Sequence, residues 1–282
     1  MYAAHTRRRP VFAIIAATAL GAVTFLTTVA RADTCPSESR APTPVVELRQ
    51  YKILSGKRDE MIALFEREFV ESQEVVGARL VGQFRDQHDP DRFTWIREFA
   101  DMDMRERALS AFYFGPVWKA HRNEANALLD DNDNVLLLRP AAAGLDFNDT
   151  YSKPRAAIGA SPGPAGVVVV NIHYLWKDPA QEFAPYFLEH VRPQLEAAGV
   201  PVIGAFVPER TPNNFPRLPV RQAENVFVWF TRASDAGAFR AAMGRVMGRN
   251  VWVHDIVPRL QQFEERPAQV LELAPTPRSA LR

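Results

Sequence analysis

The chain states its plan twice, and that repetition limits what it can fold into more than any single motif. Residues 45–53 read VVELRQYKI and are followed, a helix-length later, by Gly77-Ala-Arg-Leu-Val-Gly-Gln-Phe84. Residues 167–175 read VVVVNIHYL and are followed at the same distance by Gly199-Val-Pro-Val-Ile-Gly-Ala-Phe206. The two copies lie 123 residues apart at Tyr51/Tyr174, 122 at Gly82/Gly204, 134 at Trp118/Trp252 and 135 at Pro140/Pro275. Most of that drift fits one insertion, the Pro-rich stretch Pro208–Pro219. A self-match this long implies two like units of about 100 residues, an ordinary domain size.

Each copy carries the same run of elements. Val45–Ile53 is β-branched and alternating, a strand. Residues 57–75 place Met61, Leu64, Phe65 and Phe69 at helical spacing, and Gly77 ends that helix. Strands follow at 79–85 and 93–99, joined by the turn His88-Asp-Pro-Asp91. A helix spans 101–114 with Asp101 at its dipole-favoured start. Gly115-Pro116 interrupts it, a second helical piece runs over 117–129, and the last strand is 134–139. The second copy gives strand 167–176, helix 180–197, strands 201–207 and 225–231, helix 234–259 and strand 269–273. Strand-helix-strand-strand-helix-strand is the ferredoxin-like order. Glu47, Arg49 and Tyr51 share one face of the first strand. Phe93, Trp95, Arg97 and Phe99 share one face of the third. Neither strand has a purely polar face, so both faces are expected to be covered. Helices cover one, and the other copy's sheet covers the second. The expected fold is α+β: two tandem ferredoxin-like repeats in a pseudo-dimeric α+β barrel. The domains are 45–140 and 166–275, with linkers at 33–44 and 141–165 and a polar tail at 276–282.

The N-terminus reads as a bacterial-type signal peptide over 1–32. Arg7-Arg8-Arg9 is a basic region, Val11–Leu26 an apolar run, and Ala30-Arg31-Ala32 a small-x-small cleavage pattern. The expected location is therefore periplasmic or secreted. An uncleaved segment of that length would instead anchor the chain in a membrane. The full chain carries 34 Lys+Arg and 33 Asp+Glu. Removing 1–32 takes four Arg with it and leaves 30 basic against 33 acidic residues. That balance provides no footprint for nucleic acid. Cys35 is the one cysteine, so neither an intrachain disulfide nor a cysteine metal site can form.

At Glu47-Leu48-Arg49-x-Tyr51, Gly56-Lys57 and Gly77-x-x-Leu80-Val81-Gly82-x-Phe84 the sequence resembles the NIPSNAP family. The likeness continues through Trp95-x-x-Glu98-Phe99, Arg105-x-x-Ala108 and the Trp118 segment. It is strong over 45–140 and weaker over 167–274. The resemblance implies a dimeric α+β-barrel fold shared with cofactor-independent monooxygenases and EthD-like proteins. It implies no settled activity and no agreed catalytic set. In the second copy Arg49 aligns with Ile172 and Glu98 with Trp229.

No phosphate loop, HExxH or GxSxG motif is present, and no cofactor is expected. His121 and Glu124 stand one helical turn apart, a weak pair for a metal, and read as an exposed pair; His190 and His254 read as exposed helix residues. His173, beside Asn171 on one strand face, is a candidate to line a cavity. The chief candidates are Arg49, Tyr51, Glu98 and Trp118. Arg49 and Glu98 form a candidate buried ion pair, because an unpaired buried charge is costly. Trp95, Phe112, Tyr113 and Trp118 supply an apolar wall, as in small-molecule sites. The candidate ligand-binding set is Arg49, Tyr51, Trp95, Glu98, Tyr113, Trp118 and His173, with no metal. The leading expectation is an exported protein that binds a small, largely apolar molecule between sheet and helices. A cofactor-independent monooxygenase-like or EthD-like enzyme, or a non-catalytic interaction module, are the alternatives. The two repeats are expected to pair within the chain, and homo-oligomers of the whole chain remain possible.

Overall fold

The computed structural model of the chain describes residues 43–147, 154–161 and 166–282. The signal segment 1–32, Cys35, all but the end of the linker 33–44, and parts of the linker 141–165 lie outside the described residues. Among the described residues no helix is long and apolar enough to cross a membrane.

The first half runs β1 (Val45–Ile53), α1 (Arg58–Leu64), a π-helical turn Phe65–Phe69, α2 (Glu71–Glu74), β2 (Arg79–Asp86) and β3 (Arg92–Phe99). It continues with α3 (Met102–Tyr113), α4 (Pro116–Asn126), β4 (Leu129–Asp131) and β5 (Val135–Pro140). The second half runs β6 (Val167–Leu175), α5 (Phe183–Tyr186), a π turn Phe187–Val191, α6 (Arg192–Ala197), β7 (Gly204–Pro208) and β8 (Val226–Ala233). Then come α7 (Ala236–Met247), a π turn Trp252–Ile256, α8 (Val257–Phe263) and β9 (Glu264–Pro275). The expected helices 57–75 and 180–197 are therefore each broken by a π turn. The wider turn absorbs an extra residue and leaves both Phe65 and Phe69 buried. Asp101 and Asp235 cap α3 and α7 by accepting from the amides of Met104 and Ala238.

The strands close a ring in the order β3-β2-β9-β6-β8-β7-β5-β1, with β1 returning to β3 and short β4 added beside β1. Every pairing is antiparallel. Each repeat supplies four ring strands, and β2–β9 and β5–β7 are the two seams between repeats. This is the expected tandem α+β barrel. Its interior is filled by Val46, Leu48 and Ile96 from one repeat and Val170, Val228 and Phe230 from the other, among others. The helices cover the outer faces. The expected polar tail folds back instead. Leu281 enters the interior cluster and its amide donates to the Val81 carbonyl. Arg278 reaches the Glu71 carboxylate and the Glu66 carbonyl.

The strand register corrects the alignment of the repeats. Val45 pairs with Phe99 and Val167 with Ala233, while the caps Asp101 and Asp235 lie 134 apart. The first strands are thus related by 122 residues, not 123. A one-residue slip turns every side chain to the other face. Tyr51 faces the helices and Tyr174 the barrel interior. The structural counterpart of Tyr51 is His173, that of Arg49 is Asn171 rather than Ile172, and that of Glu98 is Arg232 rather than Trp229. The offset stays at 122 through both π turns and Gly82/Gly204, then becomes 134 at Trp95/Trp229. The twelve added residues are the insertion Pro208–Pro219.

Candidate functional site

Glu47, Arg49 and Tyr51 alternate along β1 onto its helix-facing side, and Arg97 stands directly opposite Glu47 on β3. Arg105 comes from α3. These charges converge with no solvent exposure at Glu47, Arg49, Arg97 or Arg105. Glu47 Oε2 accepts from Arg49 Nη1 at 2.6 Å and from Arg97 Nε at 2.8 Å. Its Oε1 accepts from Arg105 Nε at 2.7 Å. Outward, Arg49 Nε donates to the Tyr51 hydroxyl at 2.9 Å, and Arg97 Nη1 to Gln73 Oε1 at 2.8 Å. Arg105 Nη1 donates to Asn213 and Asn214, both from the insertion. Phe215 of the insertion stacks on Tyr113 with ring centroids 5.8 Å apart. The Pro-rich stretch of the second repeat therefore closes over the charge cluster of the first.

Burial alone would push the Glu47 carboxyl up. The pull of Arg97, Arg49 and Arg105 outweighs it and holds the group well below the usual carboxylate range. Burial pushes the Tyr51 hydroxyl up to about 12, against the pull of Arg49. At neutral pH the cluster holds three guanidiniums, one carboxylate and a neutral phenol.

Against this cluster lies a pocket of 70 Å³ between sheet and helices. Tyr51, Gln73, Trp95 and Tyr113 form the side nearest the charges; Phe65, Phe69, Phe112 and Trp118 add aromatic walls, and Asn126 and Asn132 add polar ones. The Trp95 ring lies 5.3 Å from the Arg49 guanidinium and 5.1 Å from that of Arg97.

Of the seven candidates from sequence, Arg49, Tyr51, Trp95, Tyr113 and Trp118 meet here. Glu98 does not, and the Arg49–Glu98 pair is overturned. Glu98 lies opposite Val46 on the barrel-interior face, where Arg79 approaches it at 3.6 Å. His173 sits across the barrel in the second repeat. Its Nδ1 lies 2.7 Å from Glu264 and its Nε2 accepts from the Trp229 indole at 3.1 Å. Both ring nitrogens are engaged. His121 approaches Glu68 at 3.3 Å and Glu124 at 3.6 Å, and among the described residues no group of three His, Cys, Asp or Glu is arranged to hold a metal ion. Sequence reasoning missed Glu47, Arg97, Arg105, Gln73, Asn213 and Asn214 as site residues. The face parity of β1 and β3 was the available signal for the first two.

The fold is that of the dimeric α+β barrels, carried here on a single chain. Residues 46–143 match the NIPSNAP family, so the first repeat is a NIPSNAP domain; the match ends before the second. Among solved structures, a candidate monooxygenase of Lactobacillus acidophilus aligns over 83% of this chain and 94% of its own at 12% identity, with a TM-score of 0.53. A candidate monooxygenase of Fusobacterium nucleatum aligns over 84% and 94% at 11% identity, with a TM-score of 0.52. A NIPSNAP family protein of Agrobacterium tumefaciens aligns over 34% of this chain and 92% of its own at 23% identity, with a TM-score of 0.32. No curated protein matches the chain.

Proposed function

We propose that this is an exported NIPSNAP-family protein that binds a small, largely apolar molecule between the sheet and helices of its first repeat. The observation that carries this reading is the pairing of an aromatic pocket with a buried charge cluster that the fold does not require. At the matching positions the second repeat has Val169 for Glu47, Asn171 for Arg49, Thr231 for Arg97, Phe239 for Arg105 and Leu195 for Gln73. Val169 and Phe239 pack there as plain core. A barrel that holds together on one side without those charges has them on the other for another purpose. Native mass spectrometry of the mature protein tests the reading. A bound small molecule is expected on the wild type and its loss on Trp118→Ala. Wild-type protein of bare mass that also leaves Trp118 fluorescence unchanged across an apolar-ligand library would overturn it.

Tyr51 beside Arg49 favours a second reading, conversion of the bound molecule by a cofactor-independent oxygenase or EthD-like enzyme. With its hydroxyl held protonated, Tyr51 is a hydrogen-bond donor to developing negative charge rather than a base. Oxygen uptake that depends on Tyr51 would support this second reading. Export is tested by the mature N-terminus: trimming leaves Asp33 first, whereas an anchor retains residues 1–32.

A further inference from the structure

We propose that the molecule taken by the first-repeat pocket is an organic anion, a planar aromatic carboxylate whose charge lies at the Tyr51–Trp95 side of the pocket. This rests on the binding reading above and adds the ligand's charge.

The argument is an excess of donors over acceptors. Three fully buried guanidiniums share one carboxylate. Glu47 is the one acidic partner in the hydrogen bonds and ion pairs found for Arg49, Arg97 and Arg105 among the described residues. Arginine does not shed its proton in proteins, so the positive surplus cannot be titrated away. Gln73, Asn213 and Asn214 lend the cluster only neutral oxygens. The Trp95 indole N–H, on the pocket wall, is a buried donor without a hydrogen-bond partner, as are Arg49 Nη2 and Arg105 Nη2 within the cluster. The Tyr51 hydroxyl accepts from Arg49 Nε, which leaves its own proton for an acceptor in the pocket it lines. Buried donors without acceptors are costly, and a carboxylate accepts several at once. Phe65, Phe69, Phe112 and Trp118 bound the rest of the pocket, and such aromatic walls suit a small, flat apolar body.

The test uses the mature full-length protein, with tryptophan fluorescence and thermal shift as readouts. The probes are benzoate, phenylacetate and 2-naphthoate, the neutral amide of each, and formate. Carboxylates are expected to bind at least tenfold more tightly than their amides, and formate not to compete. Glu47→Val with Arg49→Asn, Gln73→Leu, Arg97→Thr and Arg105→Phe carries the second repeat's residues into the first. It is expected to keep the wild-type circular dichroism spectrum and lose the carboxylate preference. Should that variant misfold, Tyr51→Phe is the second probe, with a severalfold loss of carboxylate affinity and little change for amides. Amides that bind as tightly as the acids would overturn the anion inference and leave the binding reading standing. Formate competing at the affinity of benzoate would also overturn it. Absence of binding by every probe would bring down both.

Discussion

Tyr51 and His173 occupy the same station in the two halves of the barrel, and each is held by a different neighbour. Tyr51 accepts from Arg49 and packs edge-on against Trp95, with ring centroids 5.6 Å apart. His173 is fixed between Glu264 and Trp229, the counterpart of Trp95. One station opens on a pocket; the other is a closed hydrogen-bond chain. The following outcomes depend on that difference.

Glu47→Ala leaves three buried guanidiniums without their shared carboxylate. Removing one member of a buried charge group costs about 3–5 kcal/mol. Urea denaturation should show a loss of that order, while Glu47→Val combined with Arg49→Asn, Gln73→Leu, Arg97→Thr and Arg105→Phe should recover most of it.

Glu98 and Glu47 respond to pH in opposite senses. Burial in the barrel raises the Glu98 pKa despite the pull of Arg79. A raised acid contributes stability below its unfolded pKa and loses it as pH rises through the folded one. Glu98→Gln should therefore raise the melting temperature at pH 8 and have little effect near pH 4. The Glu47 pKa is depressed, so its contribution is present above its unfolded value and lost only as pH falls toward its folded one. Melting curves of wild type and both single variants from pH 3 to 8 separate the two.

His173→Phe should cost about 1 kcal/mol for the hydrogen bond from Trp229 and leave binding in the first-repeat pocket unchanged. A change in that binding would contradict the assignment of His173 to structure.

Leu281→Ala removes a side chain that is 3% exposed and packed into the barrel interior. Large-to-small changes at such positions cost about 2–5 kcal/mol. A chemical melt that leaves the midpoint unmoved would show that the returning tail does not plug the barrel.

The architecture was legible because both repeats obey the same spacing. Gly77 and Gly199, both at positive φ, end equivalent helices, and the Phe84 and Phe206 rings lie over Gly82 and Gly204 inside the barrel. The site was half legible. Tyr51, Trp95, Tyr113 and Trp118 stand out as aromatics, and the common face of Glu47 and Arg49 is visible from period-two alternation. The Arg49–Glu98 pairing failed because sequence motifs carry no cross-strand register. Arg49 faces Trp95, and Glu98 faces Val46. The insertion's part in the site was hidden for a different reason. Asn213 and Asn214 meet Arg105 across more than 100 residues of chain, and no local pattern encodes that closure.

Because the two halves are covalently joined, substitution in one is not copied into the other. Two identical subunits would present two equivalent pockets, and every change to a lid would alter both. Here the half that carries Val169, Asn171, Thr231 and Phe239 at the matching positions supplies the cover for the half that carries the charges. Titration should accordingly saturate at one molecule per polypeptide, with no second, weaker event.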